Sequence, residues 1–464
     1  MNVDLRAVRE RLARLLDELE YGLVERRRQV RLALLAALAG EHTLLIGPPG
    51  TAKSELARRL HLAFEDARYF ERLLTRFSVP EELFGPLSIS ALEEDRYERQ
   101  TAGYLPEASI AFIDEVFKAN SAILNALLTL LNERVFDNGA GRQACPLISV
   151  IGATNEVPTG EVAEAFFDRF LMRLPVGPVS ARGFRQLIAL EGCRGPRTAG
   201  ALTLHERDAI ARQAEAVEVT DYVAKLLAEV RKDLDGGRIY VSDRRWMKIL
   251  RLLKVAAATE GRTEVCLWDL WLLPWCTAHD VEGQTAVHDW LLARIGVREA
   301  LSPPRLTRVV EAFEAQVTIE QTADDLDYDS SGRLRFSTDV DERVNDAKGA
   351  SKVARMSYTR RRRYGETHIG ARLHQVDELI ASIAGYEDEL RTRRADLAAY
   401  AGQSLWLDRD FEARVAANLE TIQCNLADLA RRAATARAAF AVLPRLPVDP
   451  GTRPEPIVHE LLEL

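Results

Sequence analysis

Lys53 and Ser54 directly follow the turn Gly47-Pro48-Pro49-Gly50-Thr51-Ala52. These residue types in this order suit a polyanion. Glycine lets backbone N–H groups converge on an anion with no Cβ in the way. An ammonium such as that of Lys53 neutralises charge between β- and γ-phosphates, and a hydroxyl such as that of Ser54 ligates Mg²⁺. Further along, Asp114-Glu115 supplies two carboxylates with separate uses. Asp114 would hold Mg²⁺ through water or Ser54, and Glu115 would polarise an attacking water as general base. Asn155 suits contact with the γ-phosphate or that water. Arg169 is placed to reach a neighbouring chain's phosphates rather than its own, and Arg244 or Arg245 would touch a γ-phosphate from a helix start. The chemistry these residues describe is Mg²⁺-dependent hydrolysis of ATP.

Such residues need a rigid scaffold. Thr43 to Ile46 is a short apolar run that fits a buried strand, and Lys53 and Ser54 open a helix with Leu56, Ala57 and Leu60 on one face. Strand, glycine-rich loop and helix is the P-loop order, and the helix N-terminus adds partial positive charge at the phosphates. One position departs from the pattern: Ala52 stands at the second glycine. If that position needs a positive φ, alanine costs roughly 1 kcal/mol or more; in the first helical turn it costs nothing. Ile110 to Ile113 is a second buried strand, with Asp114-Glu115 at its C-terminal end, where parallel sheets place ligands. LISVIG, 147–152, is a third, ending at Asn155. Each feature has a plainer reading: a chance Lys-Ser, an acidic loop, a turn-forming Asn, a surface ion pair at Arg169. Their occurrence together favours the nucleotide site.

The rest of the chain reads largely as helix. Leu5 to Leu19 and Val24 to Leu38 have apolar residues at helical spacing, broken at Tyr21-Gly22-Leu23. Gly22 and Leu23 are candidates for contact with the nucleotide base; a plain helix–helix turn is the equal alternative. Ser78 is a candidate cap with Glu81, Leu87 to Tyr104 reads as an excursion, and Asp137-Asn138-Gly139 signals a hairpin within 134–146. Lys118 to Glu133 reads as an amphipathic helix, and residues 180 to 300 are helical, with Trp268, Trp271 and Trp275 as core. After Ser302-Pro303-Pro304 come a helix at 306–317, an acidic stretch at 324–346 with strand-like alternation at 333–336, and a basic one at 352–363. Two long helices with coiled-coil-like seams follow, one through Val376, Ile383, Leu390 and Leu397, the other from Phe411 to Phe440.

Length allows two or three domains: the chain has 464 residues, 47% of them hydrophobic. A net charge of −8 gives no general case for nucleic-acid binding. Five scattered cysteines without CxxC spacing argue for a reducing compartment and against a disulfide framework or zinc site. The charged N-terminus is no signal peptide, and no run approaches the ~18 apolar residues of a membrane span. The expected location is cytoplasmic.

Taken together, GPPGTAKS at 47–54, TRFSVPEELFGPLSI at 75–89, YERQTAGYLPEA at 97–108, AFIDE at 111–115, ILNALLTLLNER at 123–134, ATNE at 153–156, FDRF at 167–170 and YVSDRRW at 240–246 make the chain resemble an AAA+ ATPase of the MoxR group, within it the RavA subfamily. The resemblance implies an α/β P-loop core with a parallel sheet and flanking helices, a helical lid, and a C-terminal three-helix arm with a small insert. It implies Walker A at 47–54, Walker B at Asp114 and Glu115, sensor 1 at Asn155, an arginine finger at Arg169 and sensor 2 at Arg244. Expected boundaries are 1–180 for the α/β part, 181–300 for the lid, 301–320 with 370–445 for the arm, 321–369 for a β-rich or loosely ordered insert, and 446–464 for a tail. The arm resemblance includes SLWLDRDFEARV at 404–415. The insert looks shorter than the partner-binding domain of the best-known member, which leaves a lysine decarboxylase partner open. A hexamer, a von Willebrand factor A companion and a protein client are the implied partners. The implied function is ATP-driven, chaperone-like remodelling; the alternative is a nucleotide-gated adaptor that recruits a partner through the arm. A nucleic-acid motor is disfavoured by charge.

Overall fold

The computed structural model describes residues 5–139, 141–156, 161–190, 200–237, 239–326, 337–339, 355–357 and 359–459. The expected alternation at 333–336 and positions 352–354 and 358 of the basic run lie outside them. The chain divides into two units. The first is Met1–Ile295 with Ala399–Ala413, and the second is Gly296–Ala398 with Arg414–Leu464.

The first unit opens with helices α1 (Leu5–Glu20) and α2 (Arg27–Leu38) and is built on strands β1 (His42–Ile46), β2 (Tyr69–Leu73), β3 (Ile110–Asp114), β6 (Ser149–Thr154) and β7 (Phe170–Pro175). Between β3 and β6 lies the hairpin β4 (Val135–Asn138) and β5 (Gly141–Ala144). The five core strands form one parallel sheet in the order β2-β3-β6-β1-β7. Its inner strands are buried runs, as a sheet covered on both faces requires: Ile110, Ala111 and Ile113, and Leu44, Leu45, Val150 and Ile151, are fully inaccessible. Helix α3 (Lys53–His61) follows β1, and short helices α4 (Glu81–Phe84) and α5 (Ile89–Glu93) occupy the excursion after β2.

Helix α6 (Ser121–Glu133) begins three residues later than the sequence pattern suggests, because Asn120 Oδ1 accepts the Ile123 N–H at 3.0 Å and caps it. Ser78 does not cap α4; its hydroxyl accepts the Thr75 N–H at 3.0 Å instead. Helix α7 (Glu161–Phe167) leads into β7, and α8 (Ala181–Ala189) leaves it.

The helical remainder of the unit comprises α9 (Leu204–Ala216), α10 (Asp221–Gly236), α11 (Asp243–Thr259), α12 (Leu273–Thr277) and α13 (Val281–Arg294), with two-residue strands β8 (Glu218–Val219) and β9 (Glu264–Val265) paired in parallel. Trp268, Trp271 and Trp275 are all buried here.

One boundary expectation needs correction. Residues 370–445 read as one arm, yet 399–413 pack within the first unit. The reason lies in the side chains of this turn. Trp406 is 1% exposed and donates from Nε1 to Thr259 Oγ1 at 2.8 Å. Ser404 Oγ and the Leu405 N–H both donate to Glu260 Oε1, and Tyr400 OH donates to Asp269 Oδ1. Arg28 on α2 holds Asp408 with both arms of its guanidinium, at 2.8 and 2.9 Å.

The second unit has α14 (Pro303–Thr322) and most of α15 (Glu366–Gln403) and α16 (Arg409–Ala441). Phe313, Val376, Ile383, Leu390, Leu419 and Leu426 are buried along their shared seam. Cross-helix ion pairs Arg372–Glu320, Arg432–Glu314 and Arg437–Asp377 fix the register. Short antiparallel pairs β10 (Asp324–Leu326) with β13 (Thr359–Arg361), and β11 (Ser337–Asp339) with β12 (Arg355–Ser357), occupy the insert. The first sets Asp324 and Asp325 opposite Arg361 and Arg360, so part of the basic run offsets the acidic one.

Candidate functional site

The turn after β1 is drawn tight by its neighbours. The Gly47 N–H donates to Thr154 O at 2.9 Å, and the Val176 N–H donates to Ile46 O at 2.8 Å. A Cβ on Gly47 would lie 2.0 Å from Val176 O, so only glycine fits. Gly50 has φ 78 and Ala52 has φ 65, both left-handed. Ala52 therefore carries the strain of a side chain at positive φ, roughly 1 kcal/mol or more. Alternation of this kind turns successive N–H groups toward one concavity. Ala52 also stands at the N-cap of α3 with no side-chain cap, leaving the first-turn donors open to an anion. The loop thus fits a triphosphate, and a Cβ at Gly50 would meet nothing within 4 Å.

Lys53 is buried, and its Nζ donates to Gly47 O at 2.6 Å, Pro48 O at 3.0 Å and Asn155 Oδ1 at 3.5 Å. Burial lowers its pKa, and nearby Asp114 and Glu115 counter that. The Thr51 hydroxyl donates to Pro48 O, closing the loop around Pro48 and Pro49. Ser54 follows Lys53 in the first turn of α3, and Asp114 ends β3 two strands away from β1.

Glu115 sits just past β3 in a left-handed conformation, φ 51 and ψ 43. A non-glycine residue there stores strain of about 1–3 kcal/mol, which the surroundings must hold. Three contacts do so. The Asp114 carboxylate accepts the Glu115 N–H at 3.0 Å, Asn155 Nδ2 donates to Glu115 Oε1 at 2.6 Å, and Lys118 Nζ lies 3.2 Å from Oε2. Lys53, Asn155 and Glu115 thus form one continuous polar chain. Asp114, Glu115, Asn155 and the P-loop meet because parallel strands deliver their C-terminal ends to one edge.

Arg169 does not join them. Phe170, its neighbour, pairs with His42 at the start of β1, whereas the P-loop follows Ile46 at the end. Four steps of about 3.3 Å put about 13 Å between His42 and Ile46. Asp168 beside it pairs with three arginines: Arg169 itself at 3.5 Å, and the buried Arg245 at 3.1 Å and Arg173 at 3.7 Å. Arg245 is 3% exposed and donates to the carbonyls of Asp168, Phe170, Leu171 and Cys276, so it braces β7 and has no reach to a nucleotide. Arg244 points elsewhere, donating to Asn132 Oδ1 at 3.0 Å, and its charge is close enough to lower the pKa of Arg169 after burial has done so. Arg169 and Arg244 therefore share the edge opposite the P-loop.

Gly22, with φ 75, and Leu23 lie in the turn between α1 and α2. Arg59 of α3 donates to the carbonyls of Leu19 and Tyr21, tying this turn to the P-loop helix. The stronger link was invisible in the sequence. Arg26, buried, donates to Thr51 O at 3.1 Å and Gly177 O at 2.6 Å, clamping the P-loop to the exit of β7. Lys118, which the sequence pattern places at a helix start, instead precedes α6 and lies 3.2 Å from Glu115 Oε2. Neither has a sequence signal, since each works through a backbone carbonyl or a single carboxylate brought near by the fold.

Among the described residues no cluster of His, Cys, Asp or Glu is arranged to hold a metal unaided, and no helix is long and apolar enough to cross a membrane. Residues 10–203 match the family described as the MoxR domain in the MoxR-vWA-beta-propeller ternary systems, and residues 222–291 match an AAA lid domain. Two uncharacterized proteins of Methanocaldococcus jannaschii are similar. One is 42% identical over 268 residues, which is 57% of this chain and 70% of the relative. The other is 43% identical over 265 residues, 56% of this chain and 70% of the relative. A crystal structure of a candidate ATPase from Cytophaga hutchinsonii superposes with a TM-score of 0.52 at 17% identity, covering 64% of this chain and 97% of that one, a likeness of fold. With the P-loop, the acidic strand end and the asparagine on one sheet edge, the chain belongs to the MoxR-type AAA+ ATPases.

Proposed function

We propose that the chain hydrolyses ATP with Mg²⁺ and uses the cycle, as part of an oligomer, to remodel a protein partner. The observation that carries this reading is the polar chain Lys53–Asn155–Glu115 beside an uncapped helix N-terminus. Gly47 to Lys53 would cradle the phosphates through backbone N–H groups. Ser54 and Asp114 would hold Mg²⁺, which when bound neutralises charge on the β- and γ-phosphates. Glu115 would take the proton of the attacking water, with Asn155 orienting it. Gly22 and Leu23, tied to α3, would border the base.

The opposite edge supports an oligomer. Arg169 and Arg244 lie too far from their own P-loop to serve it, and a ring would bring them to a neighbour's phosphates; a hexamer is the arrangement we favour. The matched MoxR family supports a von Willebrand factor A companion, and its description names a β-propeller as third component. The triple-helical second unit supports the RavA-like reading and is the part we assign to partner recruitment. Residues 1–180 and 181–300 would be the nucleotide-binding and lid halves, 321–369 the insert within an arm of 301–320, 370–398 and 414–445, and 446–464 the tail, with 399–413 belonging to the first unit.

The test is a pair of substitutions. Glu115→Gln keeps ATP binding and loses turnover, because only the water-activating carboxylate is gone. Lys53→Ala weakens binding itself. Full turnover in Glu115→Gln overturns the assignment of the base. Turnover stimulated by a client that co-purifies with Glu115→Gln separates remodelling from a nucleotide-gated adaptor.

A further inference from the structure

At the other end of β1 from the P-loop, a pocket of about 380 Å³ opens, lined by Gly40, Arg134, Cys145, Ile148, Arg207 and Arg251 among others. Arg134 ends α6 in a left-handed conformation, φ 57. Its Nη2 donates to Gly40 O at 2.7 Å and to Ile148 O at 3.3 Å. Its Nη1 lies 3.0 Å from His42 Nε2, but that nitrogen has no lone pair to offer. His42 Nδ1 accepts the Val150 N–H at 3.0 Å. Burial, and then the charge of Arg134, keep the ring neutral. The ring proton is therefore on Nε2, where it donates to Leu131 O at 3.2 Å. Arg134 Nη1 is left without an acceptor there.

The electrostatics point the same way. Burial pushes the Arg134 guanidinium down to about 10; Glu41 opposes this, and Arg207 and Arg251 add to it. Arg207 pairs with Asp208 at 3.0 Å. Arg251 is exposed and has no ion-pair partner among the described residues. Three arginines thus line one cavity whose lining holds one carboxylate, Asp208; Glu41, which also acts on Arg134, is paired with Lys248 at 2.6 Å. Clustered cations are costly unless an anion completes them. Planar guanidinium forks match phosphate oxygens, two contacts at a time. The volume lies within the range of about 300–1,000 Å³ typical of small-molecule sites.

We propose that this pocket is a second anion site, distinct from the P-loop, that binds a small polyphosphate through Arg134, Arg207 and Arg251. It goes beyond the hydrolytic reading and does not depend on it. The probe is pyrophosphate, titrated calorimetrically without Mg²⁺ into the full chain carrying Lys53→Ala, so that the P-loop contributes less. The expected result is one bound pyrophosphate per chain, held more tightly than inorganic phosphate. Adding Arg251→Gln weakens it about tenfold or more, and Arg207→Gln does the same, while the unfolding transition stays in place. Equal affinity in both glutamine variants overturns the proposal. So does an absence of binding in a folded chain. A change in sedimentation on Arg251→Gln without heat from pyrophosphate assigns the pocket to a second copy of the chain and overturns it as well.

Discussion

Asn155 links two charged residues of the candidate site: its Nδ2 donates to Glu115 Oε1 at 2.6 Å, and its Oδ1 lies 3.5 Å from Lys53 Nζ. Glu115 is held in a strained backbone conformation, so its carboxylate depends on partners for its position. Asn155→Ala removes the shortest of those contacts. Turnover should fall by about 10²–10³, the usual effect of losing one positioned polar group at a reacting centre. ATP affinity should change little. Single-turnover hydrolysis beside equilibrium nucleotide binding separates the two, and unimpaired turnover means that Lys118 and the backbone suffice.

Arg169→Ala should bind ATP nearly normally and hydrolyse it poorly, by about 10³-fold or more. The reason is its place beside Phe170, level with His42 rather than with Ile46. Mixed with Lys53→Ala, it should regain part of the activity, because a mixed assembly pairs an intact P-loop with an intact arginine. Turnover is measured across mixing ratios with subunit exchange confirmed separately. If no ratio exceeds both parents despite exchange, Arg169 has no role in trans.

His42 predicts a pH dependence of stability. It is 1% exposed and held neutral by burial, by Arg134 and by Lys248. In the unfolded chain it takes up a proton near pH 6.5. The folded-state value is depressed, so its contribution is fully present above about pH 6.5 and is lost as pH falls toward the folded value. The slope is at most about 1.4 kcal/mol per pH unit for one proton. Urea midpoints between pH 7 and 5.5 should fall more steeply for the native chain than for His42→Gln. Parallel curves would falsify this.

Trp406→Ala should destabilise the first unit by about 3–5 kcal/mol, the range for deleting a large buried aromatic. Trp406→Phe keeps most of the packing and loses the bond to Thr259, about 1 kcal/mol. A chain ending at 300 should be weakened similarly, since it lacks the whole 399–413 turn. The comparison is by chemical denaturation. An unchanged transition in Trp406→Ala places the turn outside the cooperative unit.

The juxtaposition of the candidate site's residues was largely legible because each part is local: a loop and the helix it opens, two acids at the end of an apolar run, an asparagine at another. The parallel sheet was legible for the same reason, in runs such as Ile110 to Ile113. What could not be read were contacts between distant segments made through backbone atoms. Arg26 reaches Thr51 O, and nothing in the arginine run 26–28 distinguishes it from a solvated helix start. Arg244 and Arg245 look equivalent in sequence, yet a rotation of one residue along α11 buries the second and leaves the first beside Arg169. The turn at 399–413 reads as a break between helices of an arm. Only the fold shows Thr259 and Glu260 waiting for Trp406 and Ser404.

That turn has a consequence for biosynthesis. The body of the first unit is complete in sequence at Ile295, but its last piece begins at Ala399. At about 5–20 residues per second, roughly 100 residues of intervening chain delay that piece by about 5–20 s. During the interval the Trp271 face and the Glu260 carboxylate have no cover from the later segment. The surface that Trp406 and Ser404 later cover therefore stays open to solvent for those seconds, and slow codons between 295 and 399 would lengthen that exposure.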